Sequence, residues 1–170
     1  MKIETAEKRL NRDFKKNTVV LGLDTAFRRT GWCLLTTNDK DVKIEHGFIN
    51  MDSKDKYYTY NNVIKVFSSL IKPGQKVMIE DTFFRFNANM FKKISRVGAV
   101  AYTIAHLKGC KAEYLLATQA RKRIGIKATM KKKLVQAQFK KQMKLTLNDE
   151  DIIDAMIVAF AGLVEENTVI

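Results

Sequence analysis

The sequence has 170 residues, of which 46% are hydrophobic, and this is enough for one domain with a full core. It has no apolar stretch long enough to cross a membrane and no signal-peptide segment, and its two cysteines fit neither a disulfide framework nor a zinc motif. We therefore expect a cytoplasmic protein with no membrane association. Lys and Arg number 31 against 18 Asp and Glu, a net charge of +13 that favours a polyanionic partner over a merely solvated basic surface.

The first part of the chain predicts a helix followed by three strands. Residues 2–16 read as an amphipathic helix, because their apolar side chains recur at helical spacing. We treat residues 1–17 as a helix appended to a core domain that spans residues 18–170. Strands are predicted over 18–25, 31–37 and 42–51, with polar turns between them.

The rest of the chain alternates helices with strands. In order, the pattern predicts a helix over 54–71, a strand over 76–81, a helix over 87–108, a strand over 110–117, and helices near 118–124, 129–144 and 148–165. This order is typical of an α/β fold. It predicts a mixed five-stranded sheet whose first three strands are antiparallel, with parallel additions and flanking helices.

Four acidic residues stand at the ends of apolar elements. Asp24 ends one strand-like run, Glu80 ends a second, and Asp151 and Asp154 lie at the head of an apolar helix. Open α/β sheets build their sites at carboxyl strand ends, and the i, i+3 spacing puts the two aspartates on one helix face. Four converging carboxylates would repel one another without cations. They suit Mg²⁺ or Mn²⁺, and a pair of such ions can activate water for phosphodiester hydrolysis.

Simpler interpretations exist for several acidic residues. Acidic side chains in a first helical turn interact favourably with the helix dipole, and for Asp149 and Glu150, after a potential N-cap at Asn148, we prefer this interpretation. Asp24 could instead form an Asx-turn. Asp81 is left out of the ligand set, because adjacent strand residues point to opposite faces.

Between residues 114 and 148 the sequence has ten basic residues and no acidic one. Its apolar residues could form one helical stripe, so we predict a folded basic surface for sequence-independent contacts with a sugar-phosphate backbone. The basic residues are Arg121, Lys122, Arg123, Lys127, Lys131, Lys132, Lys133, Lys140, Lys141 and Lys144.

Three segments together resemble the RuvC-type Holliday junction resolvases of the RNase H-like superfamily. They are Gly22-Leu23-Asp24-Thr25-Ala26-Phe27-Arg28-Arg29-Thr30-Gly31-Trp32, Ile79-Glu80-Asp81-Thr82-Phe83 and Asp151-Ile152-Ile153-Asp154-Ala155. The similarity runs from about Thr18 to Leu163 in the family's order and spacing. The resemblance implies an RNase H-like fold and a metal-dependent crossover junction endodeoxyribonuclease.

The resemblance also implies a set of site residues and partners. Asp24, Glu80, Asp151 and Asp154 would hold Mg²⁺, with Mn²⁺ as a substitute and two ions per site. There would be no organic cofactor. The enzyme would be a homodimer that nicks opposing strands of a four-way junction.

Two helices are candidates for the dimer interface. The helix over 87–108 is the expected contributor, because it has enough apolar residues for two faces, Val97 among them, and because Gly98, Ala99 and Ala101 permit close approach. The N-terminal helix is the other candidate, through Ile3, Leu10 and Phe14, although these side chains could instead pack on the chain's own core.

Three further positions take roles from the family. Phe83 matches an aromatic residue that contacts DNA near the crossover, and Lys131 matches a basic residue near the scissile phosphate. A second family lysine has no unambiguous match, and Arg121 or Lys122 could fill its role. With Arg123, Lys127, Lys132 and Lys133, these residues make up the predicted DNA-binding set.

The chain departs from the family pattern in two places. Thr25-Ala26 replaces the usual Pro-Gly after the first aspartate, and a helix precedes the point where the family begins. These departures suggest a divergent member and fit a phage or viral origin. Two alternatives stay open, namely a nuclease that cuts RNA–DNA hybrid or structured RNA and a non-catalytic junction-binding protein.

Overall fold

The computed structural model of the chain describes residues 1–50, 56–82 and 87–165. Among these residues, no helix has both the length and the hydropathy needed to span a membrane. The helices and strands, in chain order, are α1 (Ile3–Leu10), β1 (Val19–Asp24), β2 (Arg29–Thr37), β3 (Val42–Asn50), α2 (Lys56–Leu70), β4 (Lys76–Glu80), α3 (Ala88–Leu107), β5 (Lys111–Leu115), α4 (Ala117–Arg123), α5 (Lys132–Met143) and α6 (Glu150–Leu163).

The five strands form one mixed sheet in the order β3-β2-β1-β4-β5. β1 pairs antiparallel with β2 and parallel with β4, and β4 pairs parallel with β5. The predicted fold class, with three antiparallel strands followed by parallel additions, is confirmed. Leu23 pairs with Ile79 at the centre of the sheet, so Asp24 and Glu80 end adjacent strands at the same edge.

The two faces of the sheet carry separate hydrophobic clusters. Val20 and Met78 belong to the cluster beneath α6, whereas Leu21 and Ile79 belong to the cluster beneath α2 and α3. Because strand side chains alternate between faces, Asp24 and Glu80 fall on the α6 side. The strand pattern therefore directs both carboxylates toward the helix that carries Asp154.

Two glycines let α6 lie close against the sheet. A Cβ at Gly22 would come 2.4 Å from the carbonyl oxygen of Ala155, and one at Gly31 would come 2.2 Å from the carbonyl oxygen of Asp151. No side chain fits in either gap. The glycines thus bring the first turns of α6 within reach of the end of β1.

The N-terminal segment forms a shorter helix than the predicted 2–16. Asn11 adopts a left-handed conformation with φ 51°, which ends α1 after Leu10. The chain then runs extended, and Phe14 forms an isolated bridge with Val164 at the end of α6. Ile3, Leu10 and Phe14 are buried in the same cluster as α6. The amphipathic face of α1 therefore packs on the chain's own core.

The helix α3 buries Val97 and Ala101, two of the residues that we expected to support a dimer interface. Val97 and Ala101 are fully buried against the chain's own sheet. Its exposed large hydrophobic residues are Met90 and Leu107, at 46% and 80% exposure. These two side chains lie near opposite ends of α3.

Candidate active site

Three of the predicted carboxylates meet at the end of the central strands. Burial, and then the charges of Glu80 and Asp154, raise the pKa of Asp24 well above its ordinary value. Burial, followed by the charge of Asp154, raises the pKa of Glu80 to about 7. Three acidic groups close enough to perturb one another in this way form a strongly cation-seeking cluster.

One lysine of α5 enters this cluster, and it is Lys132. Its Nζ lies 2.6 Å from Oδ2 of Asp154. Partial burial lowers the pKa of the Lys132 ammonium, but the hydrogen bond and charge of Asp154, with the charges of Asp24 and Glu80, raise it by more. The adjacent Lys131, to which the resemblance assigns the position near the phosphate, is the exposed N-cap of α5. The geometry thus places Lys132 rather than Lys131 beside the acidic residues.

A buried glutamine completes the surroundings of Asp154. Gln136, one turn after Lys132 on α5, donates from Nε2 to Oδ1 of Asp154 across 2.9 Å. Both oxygens of this 8%-exposed carboxylate therefore have partners within the chain. Gln136 is not among the site residues predicted from the sequence. Its i, i+4 spacing from Lys132 was the available signal, because residues four apart share a helix face.

Asp151 takes a different partner from the other three carboxylates. Its Oδ2 accepts from Nη1 of Arg29 at 2.5 Å, and the same guanidinium bonds Asp149. Asp149, and not Asn148, is the N-cap of α6, and its side chain accepts from the backbone N–H of Ile152 at 3.2 Å. The hydrogen bond from Arg29 holds the pKa of Asp149 below its ordinary value. Asp151 adds only the smallest of the charges that raise the pKa of Asp24.

The donor set suits a divalent cation. In the part of the chain that the structure describes, no three His, Cys, Asp or Glu side chains are already arranged as metal ligands. Asp154 is bonded to Lys132 and Gln136, and Asp151 is bonded to Arg29. Asp24, Glu80 and Asp154 are nevertheless hard oxygen donors whose mutual repulsion a cation would relieve. The residues present therefore fit a divalent ion.

The predicted DNA-binding residues divide into exposed lysines and residues whose side chains have partners in the chain. Lys122, Lys127, Lys131 and Lys133 are exposed on the segment that contains α4 and the start of α5. Phe83 lies outside the described residues.

Besides Lys132, which pairs with Asp154, Arg121 and Arg123 of the predicted DNA-binding set have partners in the chain. Arg123 forms an ion pair with Glu113 at 2.5 Å. Arg121 lines a cleft with Glu80, Lys132 and Asp154, and its Nη1 donates to the carbonyl of Met130 at 3.1 Å. Its charge favours the ionised form of Glu80. Of the two candidates for the second basic position, Arg121 is the one that faces the carboxylates.

The turn after Asp24 is built without the usual Pro-Gly. Neither Thr25 nor Ala26 adopts a positive φ. Instead the Thr30 hydroxyl accepts from the Ala26 N–H and donates to the Ala26 carbonyl, both at 3.3 Å. Two hydrogen bonds between the Thr30 side chain and the Ala26 backbone thus close the loop between β1 and β2.

A mixed five-stranded sheet with carboxylates at the ends of its central strands defines an RNase H-like nuclease. The family model described as crossover junction endodeoxyribonuclease RuvC matches residues 20–162. The chain belongs to the RuvC family. It is accordingly a crossover junction endodeoxyribonuclease, a DNA-binding hydrolase of recombination and repair, in a family of divalent-metal-dependent nucleases.

Solved structures give the same fold at low sequence identity. RuvC of Thermus thermophilus superposes with a TM-score of 0.71 at 12% identity, over 85% of this chain and 92% of that chain. The T. thermophilus RuvC complex with Holliday junction substrate gives 0.70, also at 12% identity over 85% and 92%. The yeast mitochondrial Holliday junction resolvase Ydc2 gives 0.52 at 12% identity, over 93% and 84%. No curated protein sequence matches the chain.

Proposed function

We propose that the protein resolves four-way and other branched DNA by Mg²⁺-dependent hydrolysis at the cluster of Asp24, Glu80 and Asp154. The observation that carries this proposal is the convergence of buried Asp154 and half-buried Asp24 and Glu80 with Lys132 at one sheet edge. Beside them, α4 and the start of α5 present an exposed basic surface. Binding alone would gain nothing from acidic groups that repel DNA.

The chain's own residues then take distinct roles. Asp24, Glu80 and Asp154 hold the divalent ions, two per site, and Asp151 is the fourth candidate ligand. When bound, Mg²⁺, or Mn²⁺ in its place, polarises the phosphodiester and lowers the pKa of an attacking water. Lys132 stabilises negative charge that develops at the phosphate, because its ammonium already lies among the reacting groups. Gln136 keeps the Asp154 carboxylate oriented.

Exposed lysines beside the cluster supply the contacts to the DNA arms. Lys122, Lys127, Lys131 and Lys133 bind phosphates without reading sequence. T. thermophilus RuvC, which has a similar fold, has been solved in complex with a Holliday junction substrate. This complex supports a four-way junction as the substrate of the present chain. Phe83 would contact bases near the crossover. Cys33 and Cys110 are buried and unpaired, in keeping with action in the reducing cytoplasm.

A homodimer would provide the two symmetric cuts that junction resolution needs, since each chain carries one carboxylate cluster. Because Val97 and Ala101 are core residues, interface variants belong at exposed positions of α3. We expect a wild-type dimer by light scattering at micromolar concentration. Met90→Glu with Leu107→Glu should weaken it and leave single, unpaired nicks. A dimer that persists in this variant would place the interface on another element.

A substrate comparison tests the proposed function. Cleavage of a four-way junction, a replication fork, a linear duplex and an RNA–DNA hybrid is measured with Mg²⁺ and with EDTA, using Asp24→Asn as the inactive control. Metal-dependent cleavage should be fastest on the four-way junction, with paired nicks. Preferred cleavage of the hybrid would instead identify an RNA-directed nuclease, and junction binding without cleavage would identify a non-catalytic binder.

A further inference from the structure

Arg29, the first residue of β2, joins two acidic residues of another element. Its Nη1 lies 2.5 Å from Oδ2 of Asp151 and 3.2 Å from Oδ1 of Asp149, and its Nη2 bonds the second oxygen of Asp149. Its guanidinium carbon also lies 3.8 Å from the ring centroid of Phe48 on the neighbouring strand. The guanidinium is thus fixed on three sides, by two carboxylates and an aromatic face.

This contact separates Asp151 from the other carboxylates. Asp24, Glu80 and Asp154 share the charge of Lys132, whereas Asp151 shares the Arg29 guanidinium only with Asp149, which accepts from both arms of its fork. An arginine fork binds carboxylate oxygens strongly and directionally. A divalent ion would therefore have to displace the guanidinium from Oδ2 of Asp151. Both oxygens of Asp154 are bonded too, but Gln136 is neutral and the single charge of Lys132 serves three carboxylates, so that cluster keeps an excess of negative charge.

The backbone at this point does not depend on Arg29. The close approach of Gly31 to the Asp151 carbonyl sets the position of the first turn of α6. The Asp149 side chain also caps that turn by accepting from the Ile152 N–H. Removing the guanidinium should therefore release the Asp151 side chain while the helix start remains in place.

We propose that Arg29 is a positioning residue that withholds Asp151 from divalent cations. Asp24, Glu80 and Asp154 then form the first and tighter ion site, and the second ion is held only when Asp151 exchanges Arg29 for metal. Arg29 in this way sets the Mg²⁺ concentration at which the two-ion site fills. The proposal rests on the proposed function, since it concerns the same carboxylates.

Mn²⁺ binding in the absence of DNA tests this role without any turnover. Calorimetry measures the two binding steps, and electron paramagnetic resonance measures the concentration of the free ion. In Arg29→Gln the first ion should bind within about twofold of wild type, because its ligands are unchanged. The second should bind at least about threefold more tightly, the scale of losing one partly exposed ion pair. The Mg²⁺ concentration for half-maximal cleavage should fall in parallel.

Three matched variants make the test specific. Asp151→Asn should abolish the second binding step, and Arg29→Gln should have no further effect in that background. Phe48→Leu keeps every charge and loosens only the aromatic support of Arg29, so it should tighten the second step by a smaller factor. It also carries the test if Arg29→Gln does not fold. Arg29→Lys keeps the charge without the fork and should lie between wild type and Arg29→Gln.

The outcomes separate this inference from the proposed function. An unchanged second step in both Arg29→Gln and Phe48→Leu overturns the role of Arg29, and so does equal loss of both binding steps in Arg29→Gln. If Asp24→Asn binds Mn²⁺ as wild type does, the proposed metal site itself is wrong. Loss of binding in Asp24→Asn with an unchanged Arg29→Gln isotherm rejects only the positioning role.

Discussion

The ammonium of Lys132 lies 2.6 Å from Oδ2 of Asp154, so a cation of α5 meets an acid of α6 at the end of the central strands. The pair joins the proposed phosphate-stabilising group to a proposed metal ligand in one contact. It brings the basic surface and the carboxylate cluster to the same place, which a nuclease needs and a simple DNA-binding protein does not.

Removing a single carboxylate should separate cleavage from binding. Asp24→Asn, Glu80→Gln or Asp154→Asn should slow Mg²⁺-dependent cleavage at least about a hundredfold, because charge stabilisation at the metal is lost. Junction binding in EDTA should persist or tighten, since a negative charge near phosphate is gone. Asp81→Asn is the matched control, because Asp81 follows Glu80 directly and is exposed. Normal cutting by all three folded variants would refute the site.

Substitutions of the adjacent residues Lys131 and Lys132 should affect cleavage differently, although each removes one positive charge. Lys132→Met should lower kcat at least about tenfold with little change in junction affinity, because its ammonium contacts Asp154, a proposed metal ligand, where charge would develop at the phosphate. Lys131→Met should leave kcat within about threefold of wild type and weaken binding slightly. Single-turnover cleavage and a salt-controlled binding assay distinguish the two effects. A larger loss of kcat in Lys131→Met than in Lys132→Met would identify Lys131, not Lys132, as the lysine that acts at the phosphate.

Stability without metal should depend on the ionisation of Glu80. The unfolded chain loses this proton near the ordinary pKa of 4.5, whereas the folded protein keeps it until about 7. The unfolded state therefore binds fewer protons in this window, and the Glu80 contribution to the free energy of unfolding falls as pH rises from about 4.5 to 7.

Thermal unfolding in EDTA at pH 5, 6, 7 and 8 measures this contribution as the difference between wild type and Glu80→Gln. Wild type should lose more stability than the variant over this range. Excess Mg²⁺ should reverse the loss above pH 7, because it binds the ionised carboxylates of the folded state. Identical pH dependence in the two proteins would mean that Glu80 is not held protonated by its surroundings.

The close approach of α6 to the sheet should be sensitive to one methyl group. Gly31→Ala places a Cβ 2.2 Å from a backbone oxygen and should lower the free energy of unfolding by about 2 kcal/mol or more. Cleavage should fall too, because α6 carries two of the predicted metal ligands. Gly98→Ala on α3 is the control. Its Cβ makes only a 3.4 Å contact, and alanine favours a helix interior. Equal chemical denaturation midpoints for both variants would contradict this packing.

Exposed lysines near the site should dominate the salt dependence of binding. Combining Lys127→Ala, Lys131→Ala and Lys133→Ala should reduce the slope of log K against log salt concentration by up to about 2–3. The control removes the same charge from exposed residues Lys2, Lys40 and Lys43. Lys43 pairs with Thr36, at the opposite end of the sheet from Asp24, so the slope should barely change. Equal slopes for the two triple variants would put the DNA surface elsewhere.

Local patterns in the sequence were sufficient for the fold and for part of the site. The strands and helices follow from periodicity and from turn residues, so their order predicted the mixed sheet. Asp24 and Glu80 could be placed because each ends a strand and strand side chains alternate between faces. These two inferences needed only neighbouring residues.

Contacts between distant elements decided the rest. Each residue advances a helix by about 100°, so only the packing of α5 on α6 determines that Lys132 and not Lys131 meets Asp154. Arg29 and Asp151 are 122 positions apart, and no local pattern predicts their contact. Likewise the small residues of α3 suited a partner or the chain's own sheet equally well. The sheet buries them because hydrophobic burial depends on which surfaces meet in the folded chain.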